Sequence, residues 1–128
     1  MTFHITALYA SIITIGVIVL SNIVSAQRGR AGVSILHGDN LDLAVWIRRH
    51  GNLVENAPLA LILMLLCEAN GLGATWLHAM GIVLVVARVA HVFGLGAERP
   101  ICVLRIVGGA GTQLVMLAAV VFLLWSQL

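Results

Sequence analysis

The chain has 128 residues, of which 61% are hydrophobic and only 9% charged, with a mean hydropathy of +1.08. Soluble domains carry about 25% charged residues, so this composition leaves too little polar surface to face water and excludes a soluble globular protein. The net charge of +2 comes from seven arginines and no lysine, too few and too scattered for a nucleic-acid interface.

A membrane-spanning helix needs about 20 mainly apolar residues. Four candidate stretches appear, and together they make residues 1–128 a single all-α transmembrane domain. Their long apolar runs lack period-two alternation, which predicts helices rather than a barrel. The first runs from about Ile5 to Ala26. Its end, VSA, resembles a signal-peptidase site, but the leader MTFH has no Arg or Lys and the apolar run is too long for a cleaved signal. A retained span is expected.

The second stretch has an apolar part only from Ala57 to Cys67, too short to cross alone. The helix must therefore start near Leu41 and end near Glu68, carrying the polar segment RRHGNLVEN within it. Asp39 or Asn40 can cap its start. Pro58 removes a backbone donor and is expected to kink it. Asn70-Gly71 and Gly73 make the turn that follows. The third helix is expected from about Ala74 to Leu95 and the fourth from about Ile101 to Trp125.

Loop one carries Arg28 and Arg30, and loop three carries Arg99 with Arg105 nearby, whereas the second loop and both termini have no Arg or Lys. The positive-inside rule then places loops one and three in the cytoplasm and both termini on the other side. Cys67 and Cys102 lie in or beside apolar stretches with no metal-ligand spacing, so neither a disulfide nor a metal site is expected.

The polar residues inside the spans carry the functional signal. At about 100° per residue, Arg48, Asn52 and Glu55 share a narrow stripe of the second helix, His50 points roughly the other way, and Arg49 lies between. Such groups inside a membrane face a bundle interior or a wet cavity. Arg88 lies well inside the third helix, where burial costs about 2.5–3.5 kcal/mol on insertion scales. It needs a partner, for which Glu55 is the expected one, and His91 at i+3 shares its side of the helix. As topology anchors Arg28, Arg30 and Arg99 need no further role, yet with Arg48, Arg49 and Arg105 they bring guanidinium groups from three helix ends, enough to grip a small polyanion. Trp46, Trp76 and Trp125 read as interfacial aromatics, and His37 and His78 as loop or interface residues. Gly16, Gly81, Gly108, Gly109 and Gly111 read as helix-packing positions.

These residues resemble a known family. RRHGNLVEN followed by Ala57-Pro58 is similar to the Arg-x-His-x-Asn-x-x-Glu segment of the MAPEG family, membrane-associated proteins in eicosanoid and glutathione metabolism. ARVAHVFGL resembles that family's Arg-x-x-His segment in the third helix, and HGDNLDLAVWIRRHGN resembles the bacterial inner-membrane branch. The resemblance covers nearly the whole chain. It implies a four-helix bundle with up-down topology, assembled as a homotrimer in the bacterial inner membrane. It implies glutathione, the co-substrate, bound between protomers near the cytoplasmic side. The matching cofactor-binding residues would be Arg28, Arg48, His50, Asn52, Glu55, Arg88 and His91, with Arg105 as the catalytic cation beside the glutathione sulfur.

The expected function is conjugation of glutathione to lipophilic electrophiles that arrive from the lipid, with peroxidase activity on lipid hydroperoxides as a companion. The alternative is a non-catalytic lipid-binding or scaffold protein, and the family includes a member of that kind. A small transporter is disfavoured, because the buried charges occupy only the half expected to be cytoplasmic. Two departures argue against a prostaglandin or leukotriene synthase. Leu95 stands where some eicosanoid-making members have a tyrosine, and Gly51 where some relatives carry another arginine; the only tyrosine, Tyr9, lies toward the opposite side.

Overall fold

The computed structural model describes residues 3–96 and 102–128. The regular elements among them are helices: α1 (His4–Ala31), α2 (Leu41–Ala69), α3 (Ala74–Gly94) and α4 (Val103–Trp125). All four are long and apolar enough to cross a membrane. The expected anchor Arg99 and the expected start of the fourth helix at Ile101 lie outside the described residues.

The helix boundaries follow local chemistry. α1 continues to Ala31 rather than ending at Ala26. The apolar run stops at Ala26, but Gln and Arg are good helix formers, and Arg28 and Arg30 sit in the last turn beside the negative end of the helix dipole. Gly32 then ends the helix in a left-handed conformation, φ 64°, which glycine adopts without steric cost. Of the two candidate caps for α2, Asn40 is the one used, its side chain accepting from the Leu43 N–H at 3.0 Å. α2 passes through Pro58 without a break in the helix and ends at Asn70, where Gly71 at φ 82° starts the turn.

α2 and α3 form the centre of the bundle. α1 packs on both of them and α4 packs on both from elsewhere, while no Cα of α1 comes within 8 Å of one in α4 among the described residues. The core stripe of α2 is Leu53, Ala57, Ala60, Met64 and Cys67, spaced as one face of a helix. The outward faces remain apolar. Phe93 and Val103 are each 73% exposed, and Ile15 and Val121 also face outward, the pattern of a protein whose solvent is lipid.

Small residues set the closest approaches. At Gly108 a Cβ would collide with the backbone and Cβ atoms of Ala87 and His91, so α4 lies directly on α3. Gly81 lies under the ring of Tyr9, which brings α1 against α3. The Tyr9 hydroxyl lies 3.0 Å from His78 Nδ1 and 3.2 Å from the His78 carbonyl, so His78 holds a helix contact as well as sitting at a helix start.

Glu68 adds a second tie at this end. The first turn of α1 has no side-chain cap of its own. The Glu68 carboxylate, from the last turn of α2, accepts the Ile5 N–H at 3.1 Å and the Thr6 N–H at 2.8 Å. A carboxylate at the C-terminus of its own helix is unfavourable, whereas at the N-terminus of a neighbour it meets free N–H donors and the positive dipole end. Glu68 is thus a cap supplied by another helix.

Candidate functional site

The polar segment of α2 lies on the helix as the sequence predicts. Arg48 and Glu55 form a two-pronged ion pair, with Nη1 to Oε1 at 3.1 Å and Nη2 to Oε2 at 3.4 Å. Two turns of helix bring them together on one side of α2. Both side chains are more than half exposed in the single chain, so the pair forms an accessible charged surface rather than a sealed bridge.

The expected Arg88–Glu55 ion pair is not formed. Glu55 pairs with Arg48 instead. Arg88, which is 5% exposed, donates from Nη1 to Asn52 Oδ1 at 3.2 Å and from Nη2 to the Gly108 carbonyl at 2.7 Å. The physical reason is local. Asn52 stands one turn from Glu55 on the stripe facing α3, and the missing side chain at Gly108 brings an α4 carbonyl within reach. Arg88 Nε is buried without a hydrogen-bond partner. One guanidinium therefore joins α2, α3 and α4 through neutral acceptors, and its charge is not cancelled by a carboxylate bonded to it. The Gly108 carbonyl also accepts from Thr112 Oγ1 at 3.1 Å.

His91, one turn further along α3, is buried against Gly108. Arg88 and His91 of α3, Asn52 of α2 and the Gly108 backbone of α4 thus meet at one place. The Arg105 side chain is exposed, while its backbone nitrogen packs against Gly94 at the end of α3.

Two expected residues stand elsewhere. Arg28 donates to the Ser34 carbonyl at 2.8 Å, holding the loop after α1, and bonds to none of the other candidates. His50 is half-buried on the side of α2 away from Arg48 and has no hydrogen bond among the described residues. Leu95, in the position of the tyrosine found in some relatives, is buried, so that position presents no hydroxyl.

Arg49 has a role that the sequence did not reveal. Its Nε and Nη2 donate to the Leu95 carbonyl at 3.1 and 2.7 Å, and its guanidinium stacks 4.5 Å from the centre of the Trp46 ring. It therefore caps the C-terminal end of α3 from α2. Trp46 is half-buried beneath it and packs against the core, unlike Trp76 and Trp125, which are exposed as interfacial aromatics would be. The Arg-Arg doublet signalled charge; only the fold tells which arginine caps a helix and which pairs with Glu55. Both cysteines are free thiols. Among the described residues no cluster of His, Cys, Asp or Glu has the makings of a metal site.

The chain is 37% identical over 90 residues to the inner membrane protein YecN of Escherichia coli strain K12, a match covering 70% of this chain and 69% of that protein. The YecN of Escherichia coli O6:H1 matches to the same extent. No solved structure gives a match. The MAPEG family model matches residues 6–125, a span holding all four helices but for the first residues of α1, together with the Arg48–Glu55 pair, the Arg88–Asn52 link and Arg105. The chain is an integral membrane protein of the MAPEG family.

Proposed function

We propose that the protein is a membrane-bound glutathione transferase that conjugates glutathione to lipophilic electrophiles and reduces lipid hydroperoxides with the same thiol. The observation that carries this reading is the exposed Arg48–Glu55 pair on the same α2 stripe as Asn52, which holds the buried Arg88, with Arg105 exposed at the start of α4. Glutathione has two carboxylates, one ammonium and a thiol. Guanidinium groups complement its carboxylates in bidentate fashion, and Glu55 complements its ammonium.

The sulfur needs a cation, because the thiolate rather than the thiol is the nucleophile. Arg105, exposed at the start of α4, supplies it. An unperturbed thiol titrates near 8.5, and each unit of lowering corresponds to about 1.4 kcal/mol of preferential thiolate stabilisation. The thiolate then attacks an electrophilic carbon, a C–S bond forms, and the leaving group departs with the bonding electrons. Positioning and electrostatics supply the catalysis, and no covalent link to the protein is needed.

The exposed Arg48–Glu55 surface is completed between subunits of a homotrimer. The protein lies in the bacterial inner membrane, as the name of its E. coli relative suggests for that protein. Its helices cross up and down, with loops one and three cytoplasmic and both termini opposite. Hydrophobic substrates enter from the lipid. The second reading, a non-catalytic lipid-binding or scaffold protein, is favoured by the buried Leu95, which leaves a thiolate no hydroxyl donor there.

The test is a glutathione titration of the purified protein in detergent, following thiolate absorbance and conjugation of an aryl halide. Saturable thiolate formation that disappears in Arg105→Ala, with weakened binding in Glu55→Ala, is the expected result. Fatty-acid binding without glutathione binding would instead favour the second reading.

A further inference from the structure

A second feature lies on another side of α2. Where Tyr9 rests on Gly81, α1 and α3 touch. Toward the arginine-bearing end an open groove of about 360 Å³ lies between them, with α2 as its floor. Its α1 wall is Ile12, Gly16, Val19 and Ile23, one helix stripe at about 100° per residue. Leu53 forms part of the floor, and Trp46 and Arg49 line it toward the start of α2.

The dimensions fit one kind of occupant. From Ile12 to Ile23 the α1 wall extends about 16 Å at 1.5 Å per residue, close to half of a hydrocarbon core about 30 Å thick. The groove is therefore as deep as one leaflet. Its polar end also has the chemistry of a headgroup layer. Arg49 keeps N–H groups beyond those that serve Leu95. Arg30 continues the α1 stripe, five turns from Ile12 at the same angular position, and is exposed. Asp42, two turns outward from Arg49, lines the neighbouring cleft and not this groove.

We propose that this groove is a binding site for one acyl chain of an anionic membrane phospholipid, with the headgroup phosphate between Arg30 and Arg49. The groove lies on another side of α2 from the Arg48–Glu55 surface; Arg88 contributes to its lining, but its guanidinium is held by Asn52 and the Gly108 carbonyl, and the proposal does not depend on the glutathione reading. The apolar walls accept the chain, the pair of arginines selects a negative headgroup, and the lateral opening lets lipid enter from its own leaflet. Bound lipid would fill the space where α1 is not supported by α3.

Trp46 provides a built-in reporter. In a Trp76→Phe, Trp125→Phe background, Trp46 is the only tryptophan, and bromine on an acyl chain in contact with it quenches its fluorescence. The protein is reconstituted in phosphatidylcholine vesicles containing increasing fractions of acyl-brominated phosphatidylglycerol or acyl-brominated phosphatidylcholine. Each arginine near the surface is expected to favour the anionic lipid about fivefold. Phosphatidylglycerol should therefore quench at a several-fold lower mole fraction, and Arg30→Gln should reduce that preference about fivefold. Gly16→Leu should reduce quenching by both lipids, since a Cβ at this position meets only Leu53 at an ordinary 3.8 Å and the longer side chain occupies the groove.

Equal quenching by the two lipids would overturn the proposal. So would a preference unchanged in Arg30→Gln. Absence of quenching by either lipid would mean that another copy of the chain covers the groove, and would overturn it equally. Arg30→Gln alters only an exposed side chain, so the decision does not depend on the groove-filling variant folding.

Discussion

The buried guanidinium of Arg88 gives the sharpest prediction. Its two bonds join three helices, but they are not equivalent. The Gly108 carbonyl retains the Thr112 hydroxyl when Arg88 is removed, and Asn52 is only half-buried, so Arg88→Met leaves no strongly desolvated group without a partner. Asn52→Leu instead removes the only side-chain acceptor, among the described residues, of a buried cation. A hydrogen bond to a charged group contributes about 1.5–3 kcal/mol, and stranding a buried charge costs more than removing it. Hydrogen bonds measured inside membrane proteins average about 0.6 and reach about 1.7 kcal/mol, which scales the estimate down.

Asn52→Leu should therefore cost about 2–3 kcal/mol and Arg88→Met about 1–2 kcal/mol. The double variant should be no less stable than Asn52→Leu alone, giving a coupling of about 1.5 kcal/mol. The assay is a double-mutant cycle on reversible unfolding in mixed micelles, followed by helical circular dichroism. Additive single costs would show that Arg88 and Asn52 act independently and would refute the reasoning.

Other perturbations test the remaining ties. Glu68→Gln should destabilise the start of α1 by about 1 kcal/mol, seen as faster hydrogen exchange at the Ile5 and Thr6 amides with little change in α4. Gly81→Val should cost more than about 2 kcal/mol because the new Cβ collides with the Tyr9 ring, and Tyr9→Ala in the same chain should recover part of the loss in thermal unfolding. Arg48→Ala should change stability by less than about 1 kcal/mol, as expected for an exposed pair, while weakening glutathione binding measured by calorimetry; unchanged binding would remove Arg48 from the site.

The sequence by itself determined that the chain crosses a membrane and where its four helices lie, because lipid imposes length and hydropathy on each segment separately. It also placed Arg48, Asn52 and Glu55 on one stripe, since helical periodicity is a local property. The end of α1 was less legible: leaving the apolar run at Ala26 is not the same as leaving the helix, and the backbone continues until Gly32 allows it to turn.

Only the tertiary structure decided the pairings. Arg88 binds Asn52 and the Gly108 carbonyl rather than Glu55, Glu68 caps α1, and Arg49 rather than Arg48 holds the end of α3. Each partnership joins different helices, so it depends on how helices approach and rotate against one another. That approach is governed by small residues such as Gly81 and Gly108; the sequence marks them as packing positions, but which helix each one admits depends on the assembled bundle.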